Sequence, residues 1–449
     1  MNYSLEIGAF SHYDLSKREI AGVLLTGLAF GGVPYAIRHL QLGRNDRNKL
    51  GGHAVIACIQ LLPVIGTIAA LFEYIIVKGY NLWQQRKTVR FSSWQPERLD
   101  SATALRKMEH NADHAQEKFL LRNRHPENVK YFATLAEIRK EEEAKDKDSS
   151  ALRYAYVTAA DIGKRPTMQD GHFSEVLGQR FYIAGVFDGH GGKGNPGKKF
   201  SKRFLEKIQK IVSEEKLNAV SKDSEIPQKI RYIFEKATFL VQQQFLKDHY
   251  SQSLSSAEGS TAVVSLIDRD TAKLYTMAIG DSEAHIYRQF GSEGTTKVIV
   301  ASRCFDWGSP GEQVRLKGWR EDDYIGDLRE GYNPKRLRSG IVFRGKKEDG
   351  DGVNCSRALG DIYYRGTADK PMVLDRPKMT VRQLKAGDDV VLCCDGVPDF
   401  VEPPELIDTV DWVRKTEFGN LAQELVDTSV RNQGPRGTDN VTALWIRVR

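Results

Sequence analysis

Four aspartates stand where short apolar runs stop or start. Asp188 follows Val186-Phe187 and leads into Gly189-His190-Gly191-Gly192. Asp281 ends Ala278-Ile279-Gly280-Asp281, Asp395 ends Leu392-Cys393-Cys394-Asp395, and Asp439 lies just ahead of Asn440-Val441. A single Asp-Gly at a strand end is an ordinary turn. Four such carboxylates within one region are a different matter, because strand ends can converge on one edge of a sheet. Carboxylates gathered there repel one another, and a divalent cation is the simplest way to keep them ionised. An all-oxygen donor set favours a hard ion, Mg²⁺ or Mn²⁺, over Zn²⁺. The five cysteines, Cys58, Cys304, Cys355, Cys393 and Cys394, form no CxxC pair, which excludes a disulfide-stapled module and a Cys-rich zinc site.

The elements that must position these residues can be read from periodicity. Phe181–Phe187, Thr261–Ile267, Ala272–Ile279, Ala284–Tyr287, Val390–Cys394 and Val441–Val448 are strand candidates. Helical spacing joins Phe200, Phe204, Leu205, Ile208 and Ile211, then Ile230, Ile233, Phe234, Ala237, Leu240 and Val241, then Leu421, Leu425 and Val426. Antiparallel meanders with helices over their faces predict a layered α+β architecture.

The 449-residue chain carries a net charge of +7, with 40% hydrophobic and 28% charged residues. Neither a disordered polymer nor a polytopic membrane protein has this balance, and no long basic stripe argues for nucleic acid. Three regions are expected. Residues 1–94 hold two uncharged apolar runs, Ile20–Ile37 and Leu50–Phe72, flanked by Lys and Arg. Both runs approach membrane-spanning length, and together they predict a helical hydrophobic hairpin that tethers the chain to a membrane through residues 20–77. The alternative is a soluble cytoplasmic hairpin. Residues 95–150 read as a charged helical linker, and residues 151–449 as a globular enzyme domain.

The ordered motifs of this last region resemble the metal-dependent protein phosphatase 2C family. They are Arg165-Pro166-Thr167-Met168-Gln169-Asp170, Phe187-Asp188-Gly189-His190-Gly191-Gly192, Gly259-Ser260-Thr261-Ala262, Gly280-Asp281-Ser282, Ser356-Arg357-Ala358-Leu359-Gly360-Asp361, Cys394-Asp395-Gly396-Val397-Pro398-Asp399 and Asp439-Asn440. The resemblance implies an αββα sandwich, with two antiparallel sheets flanked by helices and two Mg²⁺ or Mn²⁺ ions at one end. It also implies a phosphoserine or phosphothreonine protein substrate, hydrolysed by a hydroxide held between the two metals. By the same resemblance Asp188 bridges both metals and the Gly189 carbonyl is a further ligand. Asp395 and Asp439 complete the first metal, and Asp281 with Asp395 holds a weaker third ion in some members. Asp170 holds metal-bound water, Arg165 grips the phosphate, and His190 protonates the leaving oxygen. With the membrane tether, the catalytic domain is expected on the cytosolic face.

The chain departs from the family pattern in places. Gln169 stands where the family has a glutamate that helps ligate the second metal, so the site loses one negative charge. The alternative reading is therefore a weak or inactive pseudophosphatase that acts as a binding scaffold. Glu283 replaces the arginine common after Gly-Asp-Ser. Residues 307–352, with Glu321, Asp322, Asp323, Lys346 and Lys347, occupy the place of the family's variable flap.

Overall fold

A computed structural model gives the architecture. It describes Glu97 and residues 99–449, apart from 123–125, 144–151, 193, 221, 250–257, 308–309, 317–341, 344–351, 363–372, 417–418 and 435–436. The apolar runs 20–37 and 50–72, Cys58 and the charged flap residues Glu321, Asp322, Asp323, Lys346 and Lys347 lie outside the described residues. Among the described residues no helix is long and apolar enough to cross a membrane. Residues Arg90–Arg449 form one compact unit.

Two five-stranded antiparallel sheets make the centre. In the first the order is β1 (Tyr154–Asp161), β15 (Val441–Val448), β14 (Asp389–Cys393), β8 (Glu283–Phe290) and β9 (Thr295–Val300). The second runs β13 (Lys378–Gln383), β7 (Lys273–Ile279), β6 (Ala262–Asp268), β3 (Phe181–Phe187) and β2 (Gly171–Leu177). A small third sheet joins β12 (Leu359–Gly360), β5 (Gly259–Ser260) and β4 (Gly189–His190), and β10 (Val342–Phe343) pairs with β11 (Gly352–Val353).

The side-chain alternation of a strand sorts these residues into three apolar layers. On β3, Tyr182, Ala184 and Val186 face the first sheet's Ala284, Ile286, Leu392, Leu444 and Ile446. The alternate residues Phe181, Ile183 and Phe187 instead meet helices α4 (Pro196–Glu214) and α5 (Ile226–His249), through Phe200, Phe204, Ile230 and Phe234. On the outer side of the first sheet, Val391, Cys393, Ala443 and Trp445 pack on α7 (Pro403–Lys415) and α8 (Leu421–Asn432). The layering is thus helix, sheet, sheet, helix, and truncating a fully buried phenylalanine such as Phe204 would cost about 3–5 kcal/mol.

The charged stretch before the sheets contributes helices α1 (Ser101–Arg122), α2 (Pro126–Val129) and α3 (Leu135–Glu143). Helix α1 packs inward, burying Ala104, Met108, Ala112 and Ala115 on one face. Its polar residues also reach inward. Asn111 Nδ2 donates to the Met379 carbonyl of β13 at 2.8 Å. The Val300 amide of β9 donates to Gln116 Oε1 at 2.7 Å. A single helix therefore satisfies backbone groups on an edge strand of each sheet, and such bonds matter most where the backbone is buried. Helix α6 (Pro310–Leu316) is tied to the segment before β12: Glu312 Oε1 accepts from Arg357 Nη2 at 2.7 Å, and Arg357 lies over the Phe305 ring.

Candidate active site

Strand register brings the predicted carboxylates to one end of both sheets. In the second sheet Gly171 pairs with Phe187 and Ala262 with Ile279, so Asp170, Asp188 and Asp281 all lie just beyond the same end. In the first sheet Cys393 pairs with both Ala443 and Glu283, which puts Asp395 and Asp439 at the corresponding end. Oxygens of Asp188, Asp281 and Asp395 lie within 4.8 Å of one another. Burial, then the charges of Asp395, Asp170, Asp439 and Asp281, push the Asp188 carboxyl well above the usual carboxylate range. Asp170 is raised to about 6, first by burial, and its Oδ2 accepts from Thr442 Oγ1 at 2.8 Å. Asp395 Oδ1 is buried without a hydrogen-bond partner. Mutual repulsion, an orphaned buried oxygen and donors that are all oxygen fit a hard divalent cation.

Asp439 is outside that trio. Its Oδ1 meets Arg165 Nη2 at 2.9 Å and accepts the Asn440 amide at 3.0 Å. Arg165 Nε also donates to the Thr438 carbonyl at 2.8 Å, so the guanidinium is fixed at the edge of the cluster with part of it exposed. Asn440 pins the loop that carries Arg165 and Gln169. Its Nδ2 donates to the carbonyls of Ile162 and Thr167 at 2.9 and 3.0 Å, and its Oδ1 accepts the Gln169 amide at 2.8 Å. The Gln169 side chain donates through Nε2 to the Gly191 carbonyl at 3.3 Å. Glu283, the other departure from the family pattern, is buried 3.1 Å from His285.

His190 lies in the small third sheet, where β4 pairs with β5 and β5 with β12. That pairing delivers Asp361, just past β12, to the imidazole, with Nε2 2.7 Å from Asp361 Oδ2. Burial alone would lower the His190 pKa, but the charge and hydrogen bond of Asp361 outweigh it and the net shift is upward. The contact passes over Gly259. A Cβ there would collide with both Asp361 Oδ2 and His190 Nε2, so only glycine permits it. Asp361 has a left-handed φ of 50°, a conformation Asp and Asn tolerate better than other residues.

The structure thus gathers Asp188, Asp281 and Asp395 tightly, with Asp170, Asp439, Gly189, Gln169, Arg165 and His190 around them. Sequence reasoning did not single out Asp361, Asn440 or Thr442. Asp361 and Asn440 sit inside motifs that were visible, but nothing local tells that Asp361 would meet a histidine 171 positions earlier.

The protein phosphatase 2C profile matches residues 154–298 and 336–434. The chain belongs to the protein phosphatase 2C family. Among its relatives are the Probable protein phosphatase 2C 4 of Paramecium tetraurelia, 26% identical over 306 residues that cover 64% of this chain and 89% of that one, and the Probable protein phosphatase 2C 22 of Arabidopsis thaliana, 25% identical over 64% of this chain and 67% of that one. The fold is similar to the crystal structure of the serine-threonine phosphatase 2C from Toxoplasma gondii, with a TM-score of 0.54 and 16% identity over 66% of this chain and 95% of that one.

Proposed function

We propose that the protein is a metal-dependent phosphatase acting on phosphoserine or phosphothreonine in proteins. The observation that carries this reading is the convergence of Asp188, Asp281 and Asp395 within 4.8 Å, beside a His190–Asp361 pair. In it, Asp188, Asp395 and Asp439 with the Gly189 carbonyl and the Gln169 amide oxygen hold two Mg²⁺ or Mn²⁺ ions, and Asp281 with Asp395 holds a weaker third. Such ions supply Lewis-acid stabilisation of the phosphoryl oxygens and a water nucleophile of lowered pKa. Arg165, braced by Asp439 and Thr438, offers its remaining N–H groups to the phosphoryl oxygens, where a planar fork suits the task. Asp170 is a buried proton acceptor whose Oδ2 is fixed by Thr442. Asp361 occupies His190 Nε2 and favours the imidazolium, which leaves Nδ1 to deliver the proton to the departing serine or threonine oxygen. The test is hydrolysis of p-nitrophenyl phosphate and a phosphothreonine peptide by the full chain with Mn²⁺. Activity abolished by EDTA and restored by Mn²⁺ supports the reading, and EDTA-insensitive activity contradicts the metal assignment.

A pseudophosphatase scaffold is the second reading, and Gln169 is the observation that favours it. Binding of a phosphopeptide without turnover at saturating Mn²⁺ would establish it. Membrane tethering through residues 20–77, with the catalytic region on the cytosolic face, rests on the two apolar runs of the sequence. Carbonate-resistant pelleting of the full chain supports it; recovery in the supernatant without detergent contradicts it.

A further inference from the structure

Helix α4 begins against the candidate site. The Gly197 amide donates to the Gln169 carbonyl at 2.9 Å, and Asn195 Nδ2 donates to the Asp170 carbonyl at 2.9 Å. Added Cβ atoms at Gly189 and Gly197 would each meet backbone of the other segment or of residue 169, so helix and metal loop touch without intervening side chains. Asn195 caps the helix by accepting the Lys198 amide at 2.8 Å, and the first turn holds no acidic residue. The positive end of the helix dipole is therefore not offset by a side chain of its own.

The first two turns of α4 carry four cations with two fates. Lys199 pairs with Glu258 at 2.9 Å and Arg203 with Asp248 at 2.7 Å, contacts spent on holding α4 to neighbouring segments. Lys198 and Lys202 are exposed and form no ion pair among the described residues. They are four positions apart, on one helix face and about 6 Å apart along the axis at 1.5 Å per residue. Glu206, a further turn on, closes the stripe. About 6 Å is two residues of an extended peptide.

We propose that Lys198 and Lys202 form a docking stripe for acidic residues flanking the phosphorylated side chain, so that the enzyme prefers substrates with acidic residues about two positions apart. The inference rests on the phosphatase reading and deepens it. Charge complementarity carries it: these are two uncommitted cations on a helix whose first turn is joined to the segment that carries Gln169 and Asp170. Exposed charges act mostly on encounter and register, and salt screens them.

The test uses the full-length protein and three phosphothreonine peptides of equal length with acidic, neutral or basic flanks. At low salt kcat/KM should fall from acidic to neutral to basic, with about a 10-fold span, and the span should shrink as ionic strength rises. Lys198→Glu with Lys202→Glu should erase or invert the order while changing kcat/KM for p-nitrophenyl phosphate less than about twofold, since exposed surface substitutions away from special features have small effects. Absence of a flank preference in the wild type, or its survival in the double variant, overturns the proposal. Fluorescence anisotropy with the unphosphorylated acidic peptide reads the same surface without turnover. Weakened peptide binding in an inactive protein would retain the docking stripe and discard the phosphatase reading. A double variant that loses affinity for anionic vesicles but keeps the peptide preference assigns the lysines to lipid instead.

Discussion

Asp361→Asn isolates the electrostatic support of His190. Asparagine keeps the size of the side chain and tolerates the left-handed φ of 50° at this position, so the backbone of the small third sheet should be retained. What disappears is one negative charge 2.7 Å from Nε2. With charge centres about 4 Å apart and an effective dielectric near 20, two unit charges interact by about 4 kcal/mol. An asparagine Oδ1 can still accept from Nε2, which offsets part of this loss, and the His190 pKa should fall because burial of the imidazolium is then opposed by no neighbouring charge at Asp361. The sign follows from the raised pKa of His190 in the folded protein. Asp361 holds the proton on, and its loss lets the proton leave at lower pH. A general acid is lost as pH rises through its pKa, so the alkaline limb of the pH–kcat profile should move toward acid. The Mn²⁺ midpoint should change little. An alkaline limb that stays in place, or moves to higher pH, would refute the assignment of His190 as the acid supported by Asp361.

Three further outcomes are expected. Gln169→Glu restores a carboxylate near the second ion and should lower the Mn²⁺ concentration for half-maximal activity severalfold with less change in saturated turnover, because an amide dipole only partly replaces a charge; equal midpoints would remove residue 169 from the ligand set. In EDTA the protein should lose stability as pH rises from about 4 to 6, on the order of 3 kcal/mol from Asp170, whose folded pKa of about 6 exceeds the unfolded value of 3.8, so that the native state alone holds the proton in that window; a melting temperature that climbs through the window in EDTA would contradict this. Glu312→Ala leaves the buried Arg357 without its carboxylate partner and should destabilise the fold by about 3–5 kcal/mol, read as a fall in urea midpoint, whereas a midpoint within error of wild type would show that the Phe305 ring and the Arg376 carbonyl suffice.

What the sequence disclosed follows the position of each strand in its sheet. The strands legible from apolar runs, β3, β6, β7, β8, β14 and β15, are all interior ones, buried along most of their length and therefore rich in apolar residues. Not recognised were β1, β2, β9 and β13, the four edges of the two five-stranded sheets, and the two-residue strands of the small sheets. Tyr154–Asp161 is largely exposed, and Lys378–Gln383 mixes charge with Met379 and Val381, so neither yields a clean run. The carboxylates were legible because chemistry requires their type at a strand end. Asp361, Asn440 and Thr442 were not, since their roles depend on partners brought together only by sheet pairing. In helix α1, Asn111 and Gln116 are surface residues by type, yet Asn111 donates to the Met379 carbonyl and Gln116 accepts the Val300 amide.

The central claim is that the converging carboxylates are a metal centre that drives phosphomonoester hydrolysis. Titrating Mn²⁺ into chelator-treated wild-type protein and Asp395→Asn, with p-nitrophenyl phosphate turnover followed in parallel, tests it most directly. Wild type should bind Mn²⁺ and turn over in step with occupancy. Asp395→Asn should remain folded, because relief of repulsion offsets the lost ligand, yet bind metal weakly and show no turnover. Near-normal turnover of Asp395→Asn at saturating Mn²⁺ would contradict the account.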